Sequence, residues 1–195
     1  MIKKLLLIIF IFSSLTSYSY SIEPDIFVQS TVNRASKLLS ENIEKDEKIE
    51  RLKKIAKDTV DIKGIGFYTL GSIRKSMTNE QKNEYSVLFE EYFLKSFSSR
   101  LAEYTNPEID VYNKDVLNEN YTIVNSTLKA TSERPEIKID WRIYTKDPTN
   151  PLIRDLIIEG LSLARTQKEE FASVLSSNDG DINSLFKTLK DFSNN

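Results

Sequence analysis

The sequence predicts an α+β fold: helices first, a meander of strands in the middle, and helices again at the end. Apolar residues recur at steps of three and four as far as Tyr104. They alternate from Ile109 to Tyr144 and return to helical spacing after Ser162. Turn formers punctuate the alternating region at residues 118–120, 131–135 and 146–151. No internal repeat and no long linker breaks this order, so residues 22–195 read as one domain.

The first 21 residues stand apart. Lys3 and Lys4 precede an unbroken run of eight apolar residues at 5–12. Small polar residues follow, with Ser19 and Ser21 at the −3 and −1 positions of a cleavage site. This is the anatomy of a secretory signal peptide, since a membrane-spanning helix needs about 20 apolar residues. The mature chain is expected to begin near Ile22.

Composition narrows the chemistry. Of the 195 residues, 39% are apolar and 29% charged, with ten Phe, nine Tyr and one Trp available for a core. Cysteine is absent, which rules out a lipid-modified N-terminus and disulfides. Histidine is absent too, so Ser-His-Asp and Cys-His catalysis and His or Cys zinc sites are excluded. There is no GxGxxG, P-loop or EF-hand pattern, and no metal, cofactor or catalytic residue is expected. Without residues 1–21 the chain has 25 basic and 29 acidic residues, a net charge of −4. That balance argues against nucleic acid and against standing adsorption to an anionic membrane.

The elements follow in order. Pro24 and the series Val28, Val32, Ala35, Leu39 predict a helix over 26–42, and Ile49, Leu52, Ile55, Ala56 and Val60 a second, to about Asp61. Gly64 and Gly66 interrupt the pattern before a short helix at 67–75. Thr78 and Gln81 have capping-box spacing and open the longest helix. Along it Tyr85, Leu88, Phe89, Tyr92, Phe93, Phe97, Leu101 and Tyr104 form a stripe about 30 Å long. Strands are expected at 109–112, 121–130, 136–144 and 152–163. In the third, Ile137, Ile139, Trp141 and Ile143 share one face. Gly160 suggests a bulge or a close backbone approach in the fourth. Thr166 and Glu169 suit the start of the next helix, residues 178–180 its stop, and Asp181 the cap of the last.

The apolar face of the third strand needs a cover, and the aromatic stripe is the natural one. That pairing is either plain core or an open gap holding an apolar ligand; periodicity alone does not separate the two. Asp155 and Glu159 are the acid/base pair to weigh. Four apart on a strand, they would stand about 13 Å apart, too far for the roughly 5 to 9.5 Å of a glycosidase pair. Asp140 could approach Asp155 across the hairpin, but on a face expected to be solvated.

Taken together, Asp140-Trp141-Arg142, Asp155, Glu159-Gly160-Leu161-Ser162-Leu163 and Phe171 resemble the C-terminal signature of the MlaC proteins, toluene-tolerance auxiliary components of an ABC transport system. Val60-Asp61, Leu70-Gly71, Arg74, Thr78, Glu80-Gln81, Phe89, Leu101 and Tyr104 extend the resemblance over residues 25–189. Ile73 replaces a usual aromatic and Leu156 a usual Val. The resemblance implies a periplasmic carrier without catalysis that moves glycerophospholipid between an outer-membrane lipoprotein–porin complex and the MCE-domain protein of an inner-membrane ABC transporter. Such a carrier would thereby maintain outer-membrane lipid asymmetry. Lipid tails would lie in a cavity between a four-stranded antiparallel meander and the helices, with the head group outside. Phe89, Tyr92, Phe93 and Phe97 on the helix, with Ile137, Ile139, Trp141, Ile157 and Leu161 on the sheet, are the expected lining. The chain is expected to be a monomer. The rival readings are a carboxylate-dependent periplasmic enzyme with an NTF2-like cavity and a lipid-free protein-binding adaptor.

Overall fold

The computed structural model describes residues 20–194. The signal peptide expected at 1–21 lies, up to residue 19, outside the described residues. The helical elements are α1 (Pro24–Ser40), α2 (Lys45–Thr59), α3 (Ile62–Thr69), a 3-10 turn (Ile73–Lys75), α4 (Asn79–Leu101), α5 (Leu163–Ser176) and α6 (Ile182–Asn194). Between α4 and α5 run β1 (Ile109–Asn118), β2 (Tyr121–Leu128), β3 (Ile137–Tyr144), β4 (Leu152–Ile158) and β5 (Leu161–Ser162).

Local chemistry sets the helix ends. Pro24 occupies the first turn of α1, where its missing N–H is not needed. The Thr78–Gln81 capping box forms in both directions, at 3.2 and 2.9 Å. Asp61 caps α3 by accepting from the Gly64 N–H at 2.8 Å. Gly64 and Gly66 therefore lie inside a helix instead of interrupting one. Gly66 has a packing reason: a Cβ there would stand 2.7 Å from the Phe89 ring. Helix α5 starts earlier than Thr166 predicts. Ser162 is its cap, accepting from the Arg165 N–H at 3.1 Å, while the Thr166 hydroxyl donates back to the Ser162 carbonyl at 3.0 Å.

The sheet is an antiparallel meander in the order β1-β2-β3-β4-β5. It has five strands where four were expected, because the last one folds back on itself. Glu159 (φ 49°) and Gly160 (φ 82°) are both left-handed, the conformation a two-residue hairpin loop requires. Gly160 is thus a turn residue, and the bulge lies elsewhere. Arg142 pairs with Asp155 but Ile143 pairs with Ile153, so Arg154 is the extra residue on β4. Strand β1 also runs six residues beyond Tyr112; irregular pairing at 111–113 and 116–118 and its polar middle hide the alternation.

Packing leaves a gap in the middle. Helix α1 lies on β1 and β2, and α5 lies on β4. Helix α4 packs chiefly on α2, α3 and α6 rather than on the strands. Tyr85 and Phe89, at its N-terminal half, are buried against Phe186 of α6 and Phe171 of α5. The C-terminal half, with Phe93 stacked on Phe97 at 5.4 Å, is only partly covered.

A forked apolar cavity between sheet and helices

The gap between α4 and the sheet is a cavity with two limbs. The first, of about 140 Å³, runs between α1, α2, the end of α4 and the sheet. The second, of about 190 Å³, runs between α4, α5 and β4. Val60, Phe97, Trp141, Ile153 and Leu156 belong to both walls, so the two limbs adjoin there.

The first limb contains no charged residue. Two of its four hydroxyls are engaged within their own helices. Thr31 donates to the Phe27 carbonyl at 2.9 Å and Thr59 to the Ile55 carbonyl at 2.7 Å, each within its own helix. The Trp141 indole N–H donates to Ser126 Oγ at 2.8 Å, and that hydroxyl donates to the Ile139 carbonyl at 3.0 Å. The polar atom of the largest side chain is therefore satisfied within the sheet, and its ring is left to face the cavity. The second limb keeps an apolar floor but gains polar groups: Ser96 and Arg100 from α4, and Thr166, Gln167 and Glu170 from α5. Tyr92 donates its phenol proton to Gln167 at 2.8 Å. Burial raises the Tyr92 pKa, helped by the charge of Glu170 and opposed by the Gln167 hydrogen bond and by Arg100.

The expected lining residues divide as follows. Phe97, Ile139 and Trp141 line the first limb, and Phe89, Tyr92, Phe93, Phe97 and Trp141 the second. Ile137 is half-buried against the core and lines neither. Ile157 and Leu161 are corrections. Beyond the Arg154 bulge the alternation of β4 is inverted: Leu156 and Ile158 stand opposite Trp141 and Ile139, and Ile157 stands opposite Asp140 on the outer face. Leu161 is 58% exposed because the chain has already turned at Glu159-Gly160. The sequence reading missed Leu156, Ile158 and the wall supplied by Val32, Ala35 and Leu39 of α1 and Leu52, Ile55 and Ala56 of α2. A signal for the bulge exists. Simple alternation from Ile153 would turn Asp155 inward, against a wholly apolar face.

The carboxylates weighed as catalysts both accept hydrogen bonds from their surroundings. Asp155 is buried rather than on a solvated face. It accepts from Ser162 Oγ at 2.6 Å and from the Ala164 N–H at 3.0 Å, with Arg142 at 3.8 Å. Glu159 accepts from the Lys138 N–H at 2.5 Å within the hairpin.

A family model described as MlaC protein matches residues 29–191. The chain belongs to the MlaC family. Among solved structures, this MlaC chain is similar to one described as a phospholipid-binding protein from Ralstonia solanacearum in complex with a phospholipid. The TM-score is 0.74 at 18% identity, over 88% of this chain and 97% of the other. That likeness speaks for the fold. No curated protein matches.

Proposed function

We propose that this protein is a periplasmic phospholipid carrier that passes glycerophospholipid between an outer-membrane lipoprotein–porin complex and an inner-membrane MCE-domain protein, and so maintains outer-membrane lipid asymmetry. The apolar cavity between sheet and helices, with its two adjoining limbs, is the observation that carries the reading, because acyl tails need such a lining. Membership of the MlaC family and the fold shared with a phospholipid-binding protein support it.

The energetics suit a shuttle. Each buried CH₂ is worth about 0.8 kcal/mol against water, so free tails in water are prohibitive. A cavity of this kind exchanges one hydrocarbon environment for another. The net transfer energy is then small, and the partners set the direction. No covalent step belongs to this reading, and Asp155 and Glu159 serve the hairpin and the start of α5. The carrier acts as a monomer, each chain framing its own cavity.

The test is direct. Protein purified gently from a membrane-containing host should release diacyl phospholipid on organic extraction, at about one lipid per chain. Lipid-free protein recovered under those conditions would overturn the proposal.

A further inference from the structure

We propose that Arg100 and Glu170 form a clamp for a zwitterionic phospholipid head group, Arg100 taking the phosphate and Glu170 the ammonium. The inference rests on the carrier reading and adds a head-group preference to it.

Charge is distributed unevenly over the cavity wall. The first limb has none, and the second has Arg100, Asp155 and Glu170. Asp155 is buried and its oxygens are engaged by Ser162 and Ala164. Arg100 and Glu170 are exposed, on α4 and α5 respectively. Among the described residues neither enters an ion pair, with the other or with a third group. Both nevertheless act on the same phenol, Tyr92, and in opposite directions. A cation and an anion thus belong to one cavity wall without forming an ion pair with each other.

Glu170 is also oriented. Tyr92 donates to Gln167, and the Gln167 amide donates to Glu170 Oε2 at 2.9 Å. The other carboxylate oxygen carries no hydrogen bond from the described residues. Arg100 has a planar fork that matches phosphate oxygens. A phosphoethanolamine or phosphocholine group carries a phosphate and an ammonium two carbons apart, and so meets both charges with its own. A phosphoglycerol group meets Arg100 but brings only negative charge towards Glu170, an unfavourable juxtaposition that discriminates against it. The charged groups of the wall lie in the second limb, which places the head group there and the tails against the apolar lining.

The two charges are solvent-exposed, so the preference is modest, about two- to five-fold. Protein is incubated with vesicles of equal phosphatidylethanolamine and phosphatidylglycerol, re-isolated, and its bound lipids are counted by mass spectrometry. The parent should enrich phosphatidylethanolamine by that factor, and added salt should reduce the enrichment. Glu170→Lys should reverse the preference, and Arg100→Gln should lower uptake of both lipids. Ease of extraction from the vesicle is common to parent and variants, so the change between them is the readout. Both sites are exposed, and circular dichroism checks the fold. Lipids bound at the vesicle ratio by the parent, or an unchanged preference in Glu170→Lys, overturn the clamp and leave the carrier intact. A parent that takes up no phospholipid overturns the carrier reading itself.

Discussion

Filling the first limb from within distinguishes an open cavity from a packed core. Ala56 is 2% exposed and faces that limb from α2, among Val32, Leu52 and Trp141. Ala56→Phe adds a phenyl ring to a space of about 140 Å³. Burying the ring gains about 2–3 kcal/mol, and poorer helix propensity and lost rotamer freedom return about 1 kcal/mol. For a chain of this size, a net gain of about 1–2 kcal/mol raises the melting temperature of delipidated protein by roughly 2–6 °C. In a filled core the same change overpacks and costs about 1–3 kcal/mol, so the melting temperature falls. Lipid responds the other way. A ring that displaces about four methylenes of tail costs about 3 kcal/mol of binding, close to 100-fold. Delipidated parent and variant are compared by calorimetry, because bound lipid itself raises the melting temperature. Vesicle exchange then reads affinity. A variant that melts lower than the parent while binding lipid normally would refute the reasoning.

Other substitutions probe other parts. Leu156→Glu places a charge in the wall shared by both limbs and should abolish bound lipid, whereas Leu161→Glu, in an exposed hairpin, should change stability by no more than about 0.5 kcal/mol and leave lipid in place. Equal effects of the two, by extraction and melting, would contradict the placement of the bulge. Asp155→Asn disturbs the bonds to Ser162 and Ala164 and should cost about 1–3 kcal/mol in denaturant titration, with lipid stoichiometry kept; a stable variant without lipid would give Asp155 a functional role instead. Tyr85 is buried, and its pKa is raised first by burial, so its contribution to stability is fully present below about pH 10 and is lost as pH rises further. The Thr69 hydroxyl donates to the Gly66 carbonyl at 2.7 Å, which makes the Tyr85 phenol the donor to Thr69 at 2.8 Å. Tyr85→Phe should therefore lose about 1 kcal/mol at neutral pH while flattening the alkaline decline of a melting curve series; an unchanged slope would count against it.

Much of this architecture was legible in the chain. The change of apolar spacing near Ile109 located the sheet, and Thr78 with Gln81 located the start of α4. The aromatic stripe is both of the things it could have been. Its Tyr85 end is core, and its Phe93–Phe97 end is cavity wall. Spacing cannot divide it, because that depends on whether α6 or the sheet lies opposite. The hairpin of β4 and β5 was misread for a local reason: Glu159 is left-handed without being glycine, so Gly160 alone did not announce a reversal. The α1 and α2 wall was visible as apolar faces, but no sequence pattern states which void a face borders.

The bulge at Arg154 has a bearing on how variation in this strand is to be interpreted. Ahead of it Ile153 faces the helices; beyond it Leu156 and Ile158 do, and Ile157 looks outward. Substitution tolerance along β4 should thus change phase at a single residue, polar replacements being accepted at Ile157 but not at its neighbours. Losing Arg154 would be no small local event. One deleted codon would exchange the two sides of the strand's second half, turning Leu156 away from the tails and Ile157 towards them, with no substitution at either residue.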